Sequence, residues 1–429
     1  MRKRWLIITI AFFCAVTILG YSLLLNQTFQ EKLGWHLNQW AGKIRTWLNP
    51  PQEVTFSSSN VDDPEIESLS DPVITTVTPI PTERLKTVTP TVTFAPVPSS
   101  YAIEGGEYFS QHNRWNYCGP ANLAMLLSYW GWEGTHDDVA HGVRTYNKDK
   151  NIMPYELEEF TEGQTEFGMI VRVGGDIATL KRLIAAGFPV MVEKGATFRD
   201  INYNITWMGH YQVMTGYDDN EGTFIAQDSY IEPDYRQPYA AFQDEWRSFN
   251  YTYLVAYPQY MENDVLNLLG NNKDETQNFQ NALERAQDEI YQLSGVEQFF
   301  AIYNYGTNLV KLRDYNGAAE AYDQAFKIYD ALPNDSTLPY RILWYQTGPF
   351  LAYYYTGRYV DVIEKATKNS IEMVRDDEPA LEESYYWRGL AEIAMGDKNS
   401  GIDDFYTCLE YHNGFQPCLD ELNKQGIYP

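Results

Sequence analysis

The chain predicts an α+β domain over residues 101–258, followed by an all-α array over 265–429. Three observations predict this. Helical patterns fill 118–187, and strand patterns with hairpin signals fill 189–257. The remainder is helical in period and carries an irregular internal repeat. At 429 residues the chain exceeds what one ordinary core supports, so at least two domains are expected. The net charge of −26 excludes nucleic acid as a partner, because phosphate binding needs clustered Lys and Arg. Four cysteines are too few for a disulfide scaffold, and no C-x-x-C pair points to zinc.

From the N-terminus, Arg2, Lys3 and Arg4 precede an uncharged run from Trp5 to Leu25. Its 21 residues, at ~1.5 Å each, match a hydrocarbon core of about 30 Å. Residues 1–26 therefore form a single-pass signal anchor, with the basic cluster cytoplasmic and the bulk of the chain extracytoplasmic at the cell membrane. The alternative is secretion after cleavage, for which Gly20-Tyr21-Ser22 is a poor site. Residues 27–49 place Leu33, Leu37, Trp40, Ile44, Trp47 and Leu48 on one face of a helix, either on the outer membrane surface or in a solvated stalk. Residues 50–100 turn to Thr, Pro, Val and Ser and form an extended spacer, reaching about 150 Å if fully polyproline II.

In 101–258 a helix follows Cys118. A second starts at a Thr135 cap with Asp137 and Asp138 in its first turn, and Pro154 opens a third. A fourth begins at Asp176 and ends near Gly187. Strands are expected at 189–193, 210–217, 223–227 and 253–257, in an antiparallel sheet. From 265 onward, Gly357-Arg358-Tyr359 recurs 44 residues after Arg313-Asp314-Tyr315, and Gly396-Asp397 follows 39 residues after Gly357. Small residues at Gly306, Ala318, Ala319, Ala325 and Gly389 let helices approach closely, and such units stack because none buries its apolar face alone. The unit from Tyr386-Trp387-Arg388-Gly389 through Phe405 resembles a tetratricopeptide repeat. The period is longer than the usual ~34 residues, so the loops are longer or the helices extended. Cys408 and Cys418 flank the helix stop His412-Asn413-Gly414 and form either a disulfide, if two helices fold back there, or two buried thiols.

The chemistry centres on Tyr117-Cys118-Gly119-Pro120-Ala121-Asn122. It sets one cysteine on a turn at the mouth of an apolar helix, where unpaired N–H groups and the positive dipole end favour an anion. Such a position suits a nucleophile. His210 is the candidate base. With a hairpin turn centred on Asp219, His210 lies directly opposite Asp228, whose carboxylate would orient the imidazole. Gln111 offers a side-chain amide to a developing oxyanion, beside the backbone N–H of Cys118. His112, His136 and His141 are surface or helix-end residues, and the spacing of the last two does not suit a metal. Asp218-Asp219-Asn220-Glu221-Gly222 is too short for a calcium loop and is a hairpin turn.

Gln111, Cys118-Gly119-Pro120-Ala121, Tyr129-Trp130-Gly131, His210 through Asp218 and Asp228 together resemble the bacteriocin-processing, double-glycine-leader cysteine peptidases, most closely their stand-alone branch. The resemblance covers about 101–258, with Phe242–Trp246 and the strand near Tyr253. It implies a papain-like fold and a catalytic set of Cys118, His210, Asp228 and Gln111, with no metal or other cofactor. Two departures stand out. The family's Gln-to-Cys spacing is one residue shorter, and its Asp-Pro is Asp228-Ser229 here. The family members fused to ABC transporters trim leader peptides, but no ATPase or multi-span segment is present in this sequence, so their substrate does not carry over. The expectation is a membrane-anchored extracytoplasmic cysteine peptidase acting on a peptide or protein substrate, with the repeats docking substrate or a protein partner. The alternatives are a catalytically silent peptide-binding scaffold and an acyl or amide transferase using the same triad.

Overall fold

The computed structural model describes residues 94–143, 151–199, 205–373 and 381–429, apart from Asn113, Trp115 and Ser336, together with Trp40, Ile44, Thr55 and Phe56. The expected anchor at 1–26 lies outside the described residues. Among those described, no helix is long and apolar enough to cross a membrane. Of the 27–49 face, Trp40 and Ile44 are helical and exposed.

A short strand, β1 (Ser100–Ala102), precedes three helices: α1 (Cys118–Ser128), α2 (His136–Val143) and α3 (Pro154–Gln164). Helix α1 is buried from Gly119 to Leu127, which is why its sequence is apolar all round rather than amphipathic. Thr135 opens α2 by donating its N–H and hydroxyl to Asp138 Oδ2, at 2.7 and 2.8 Å. Glu156 Oε2 accepts the Met153 N–H at 2.7 Å and closes the start of α3.

Then come β2 (Phe167–Arg172), α4 (Ile177–Ala185), β3 (Val190–Arg199), β4 (Ile205–Asp218), β5 (Thr223–Gln227), β6 (Tyr235–Pro238), α5 (Tyr239–Arg247) and β7 (Tyr253–Pro258). The sheet runs β2-β7-β3-β4-β5-β6, all antiparallel. Strand β3 starts at Val190 opposite Met214, and β1 pairs with β4 from Gly216 to Asp218. Both β3 and β4 run well past the ends that the sequence pattern marks. Nearly every residue of β4 is buried, so the strand has no polar alternation by which its limits could be read.

The helical array begins after α6 (Glu262–Leu269), because Val265 and Leu269 join the sheet's own core. Its helices are α7 (Glu275–Ile290), α8 (Gly295–Lys311), α9 (Tyr315–Asp330), α10 (Gly348–Tyr355), α11 (Tyr359–Ala366), α12 (Glu382–Ala394), α13 (Lys398–Tyr411) and α14 (Gln416–Lys424). The turns inside α8/α9, α10/α11 and α12/α13 each contain one left-handed residue: Arg313 (φ 63°), Gly357 (φ 75°) and Gly396 (φ 95°). These are the positions 44 and 39 residues apart that mark the repeat in sequence. A Cβ on Gly389 would lie 2.8 Å from the Gly401 carbonyl, so α12 and α13 meet at a glycine pair. Both sources of the long period are present. A five-residue π turn, Thr367–Ile371, prolongs α11, and the connection 331–347 carries a short 3₁₀ turn. Cys408 and Cys418 are joined by a disulfide across the reversal at Gly414 (φ 84°), the first of the two alternatives.

The two parts share a core. Trp207 and Phe249 from the sheet domain pack with Phe299, Phe300 and Tyr303 of α8. Polar bonds cross beside them: Asn304 Nδ2 donates to the Arg247 carbonyl at 2.7 Å, and Gln346 Nε2 donates to the Ser248 carbonyl at 2.6 Å. The spacer expected at 50–100 is also joined to this body at both described ends. Ser99 O accepts from Asp219 N and Pro98 O from the Tyr217 hydroxyl, both at 2.8 Å. Phe56 is buried among α9 and α11. Composition averages over Thr and Pro and overlooks what single aromatics do.

Candidate active site

Cys118 is the first residue of α1, reached through Asn116 in the left-handed region (φ 57°). The first turn presents N–H groups with no helical acceptor. Cys118 is partly exposed, in contrast to the buried stretch Gly119–Leu127 that follows it.

His210 lies on β4, with 2% of its surface exposed, and Asp228 just past β5, at 0%. His210 Nε2 donates to Asp228 Oδ1 at 3.0 Å, and its ring also interacts with the Cys118 thiol. The direct His210–Asp228 opposition expected from a turn centred on Asp219 is not formed. The hairpin pairs Asp218 with Thr223, and a bulge at Thr215 then shifts the register so that Val213 faces Gln227. In that register Asp228 would face Gln212. His210 is two residues farther along the same face, and its side chain reaches Asp228 diagonally.

Asp228 Oδ1 also accepts the N–H groups of Tyr230 and Ile231, both at 2.9 Å, so the residue caps its own turn while holding His210. Burial acts to raise the Asp228 carboxyl, but the His210 charge and hydrogen bond, the Lys194 charge and the Ile231 N–H together hold it below the usual carboxylate range. Burial likewise acts to lower His210. The Asp228 charge and hydrogen bond, with the Cys118 contact, outweigh burial and raise the imidazole to about 9. The pair is therefore imidazolium and carboxylate at neutral pH. Phe198 packs edge-on against His210 at 4.7 Å and shields it from water.

A pH dependence of stability follows. The raised imidazole contributes stability in full below about 6.5, and that contribution is lost as pH rises through about 9. A rise of this size is worth on the order of 3 kcal/mol. In a Cys118→Ser background, where the Asp228 contribution remains and the Cys118 contribution is removed, unfolding free energy should fall by part of that amount between pH 6 and 10, and the added change His210→Gln should remove the fall. Parallel curves for the two variants would contradict the assigned charge state. On the acid side, the lowered Asp228 makes the pair lose stability as pH falls below the ordinary carboxylate range.

Gln111 is delivered by an extended lead-in laced to the Asp228 loop. Gln111 N donates to Ser229 O at 2.9 Å, and the Tyr108 hydroxyl donates to Asp228 O at 2.9 Å. His112 Nε2 lies 2.6 Å from Tyr230 O. The Ser229 hydroxyl donates to Gln111 Oε1 at 2.6 Å, which occupies the amide's carbonyl and orients its NH₂ group away from that contact. Ser229, where the resembled family has proline, thus holds the Gln111 side chain.

Sequence reasoning missed Asn122. Fully buried one turn after Cys118, its Nδ2 has Cys118 O at 2.8 Å, Tyr211 O at 2.8 Å and Ser229 Oγ at 2.9 Å as acceptors, which its two N–H groups share. One side chain thereby ties the cysteine's helix to the strand of His210 and to the loop of Asp228 and Gln111. The available signal was a lone amide at i+4 from the cysteine in an otherwise apolar helix. The helical array also contributes. Tyr345, from the connection 331–347, lies where a Cβ on Gly209 would come within 2.7 Å of it, next to His210. Tyr340 accepts from Thr206 Oγ1 at 2.9 Å. The segment that makes the repeat irregular is the one that reaches the strand of His210.

Among the described residues, one set has ligand atoms close enough for a metal ion: Glu156, Glu382 and His412, within 4.8 Å of one another. It contains none of the four residues above.

Residues 104–254 match the model of the Peptidase C39-like family. Similar solved structures include a putative C39-like peptidase from Bacillus anthracis, 16% identical, spanning 36% of this chain and 98% of its own, with a TM-score of 0.28. Another is the peptidase domain of Streptococcus ComA, a bifunctional ABC transporter involved in a quorum-sensing pathway. It is 18% identical, spans 34% of this chain and 93% of its own, and has a TM-score of 0.26. No curated protein matches the chain.

Proposed function

Given a C39-like peptidase domain at residues 104–254, we propose that the chain is a cysteine peptidase whose nucleophile is Cys118. The observation that carries this reading is the buried His210, bonded to Asp228 at 3.0 Å and with its charge favoured by the neighbouring Cys118. The proton given up by Cys118 rests on His210, in keeping with its imidazolium form, and the sulfur attacks a peptide carbonyl. The Gln111 amide and the Cys118 N–H stabilise the oxyanion. The imidazolium then protonates the leaving amine, and water, deprotonated by His210, releases the acyl group and leaves its proton on the imidazole. Asp228 holds the ring and its charge throughout.

The helical array docks the substrate or a protein partner. Residues 1–26 anchor the chain in the membrane, with the peptidase domain outside, as their length and flanking charges support. The test is incubation of the full chain and of Cys118→Ala with a peptide library, reading new termini by mass spectrometry. New termini that depend on Cys118 support hydrolysis. Amine-acylated products without new carboxyl termini would replace hydrolysis with transfer, and products from neither would leave the scaffold reading in its place.

A further inference from the structure

Phe56 makes a contact of an unusual kind for two folded parts of one chain. Its ring stacks on Phe326 of α9 at 4.8 Å and 10°, and meets Tyr329 edge-on at 4.7 Å. The polar contacts of Thr55 and Phe56 with the helical array run through backbone. Phe56 N donates to Asp330 Oδ1 at 2.7 Å, Lys365 Nζ donates to Phe56 O at 2.5 Å, and Asn369 Nδ2 donates to Thr55 O at 2.8 Å. Lys365 and Asn369 are themselves buried, at 5% and 4% exposure, on α11 and its π turn. A buried ammonium and a buried amide directed at the carbonyls of consecutive residues recognise an extended backbone, while an aromatic slot selects one side chain.

We propose that this groove between α9 and α11 is a peptide-binding site for an extended segment bearing an aromatic residue, and that Thr55-Phe56 is its resting occupant. The site deepens the docking role proposed above for the helical array and is independent of catalysis by Cys118. The ligand class follows from the contacts. The ring slot fits a Phe-type side chain, and the remaining groups read only the backbone, so they tolerate varied flanking sequence. The Lys365 ammonium, which also lies over the Phe326 ring at 4.8 Å, needs a carbonyl there whichever peptide supplies it.

In the intact chain the occupant is tethered. The 37 residues between Phe56 and Phe94, the latter close to the sheet domain through Arg182, keep it at an effective concentration of order mM. A free peptide with an intrinsic Kd of ~10 μM is therefore disfavoured by about 100-fold until the tethered segment is displaced.

The test uses the full chain and a fluorescent peptide copying residues 50–61, read by anisotropy. Phe56→Ala should bind it about 100-fold more tightly than the unaltered chain does. The double change Phe56→Ala with Lys365→Met should lose that binding, as should a peptide with Phe replaced by Ala. Running the series in Cys118→Ala as well separates failure of docking from failure of catalysis, since this readout needs no turnover. In case Phe56→Ala does not fold, a protease site placed after residue 75 and cut in the folded protein frees the occupant, and the labelled peptide should then exchange in. Absence of binding to folded Phe56→Ala, or of exchange after cutting, would make Phe56 a structural buttress and overturn the proposal.

Discussion

His210→Ala is expected to lower kcat/KM on any peptide the chain cleaves by at least about 10³-fold, with little change in KM. General acid–base assistance alone is worth about 10²–10⁴. The variant also leaves Asp228 buried and stripped of its charge partner. Asp228→Asn should give a large but smaller loss, because the ring remains while the charge that raises it to about 9 is removed. The check is steady-state kinetics with each variant's fold verified by circular dichroism. Equal kcat for His210→Ala and the unaltered chain would exclude His210 as the base.

The second large effect is expected at Asn122, which touches no substrate in the proposed reaction. Asn122→Leu keeps the volume but removes the donor to Cys118 O, Tyr211 O and Ser229 Oγ. The acceptors left buried without it should cost about 2–4 kcal/mol of stability. The geometry of the site should loosen as well, so kcat is expected to fall by about 10²-fold while KM changes little. Two measurements separate positioning from mere stability. Asn122→Leu assayed at a temperature where it is fully folded should remain slow, and Asn122→Gln should not recover the rate, since the longer amide cannot reach all three acceptors from the same backbone. Full activity in a folded Asn122→Leu would refute the positioning role.

The helix that starts at Cys118, the strand carrying His210 and the turns of the helical array were legible for one reason: each depends on local chemistry. Proline at Pro154, the Thr135 cap and the left-handed turn positions 313, 357 and 396 are encoded within a few residues. The diagonal His210–Asp228 contact was not legible, because a bulge at Thr215 depends on how the whole hairpin twists against its neighbours. Asn122 and Tyr345 were missed for a related reason. Their partners lie 89 and 107 residues away for Asn122, and in a different domain for Tyr345. Phe56 shows the limit of composition as a guide, since one ring in a Thr- and Pro-rich stretch has a buried slot of its own.

The central claim is that Cys118, His210 and Asp228 act as one unit. Its most direct test is the rate of iodoacetamide alkylation at Cys118, resolved by peptide mapping from pH 5 to 9, for the unaltered chain, His210→Ala and Asp228→Asn. Rapid alkylation of the unaltered chain at pH 6.5, about 10²-fold faster than in His210→Ala and intermediate in Asp228→Asn, is the predicted result. The same rate and the same pH profile in all three proteins would contradict it.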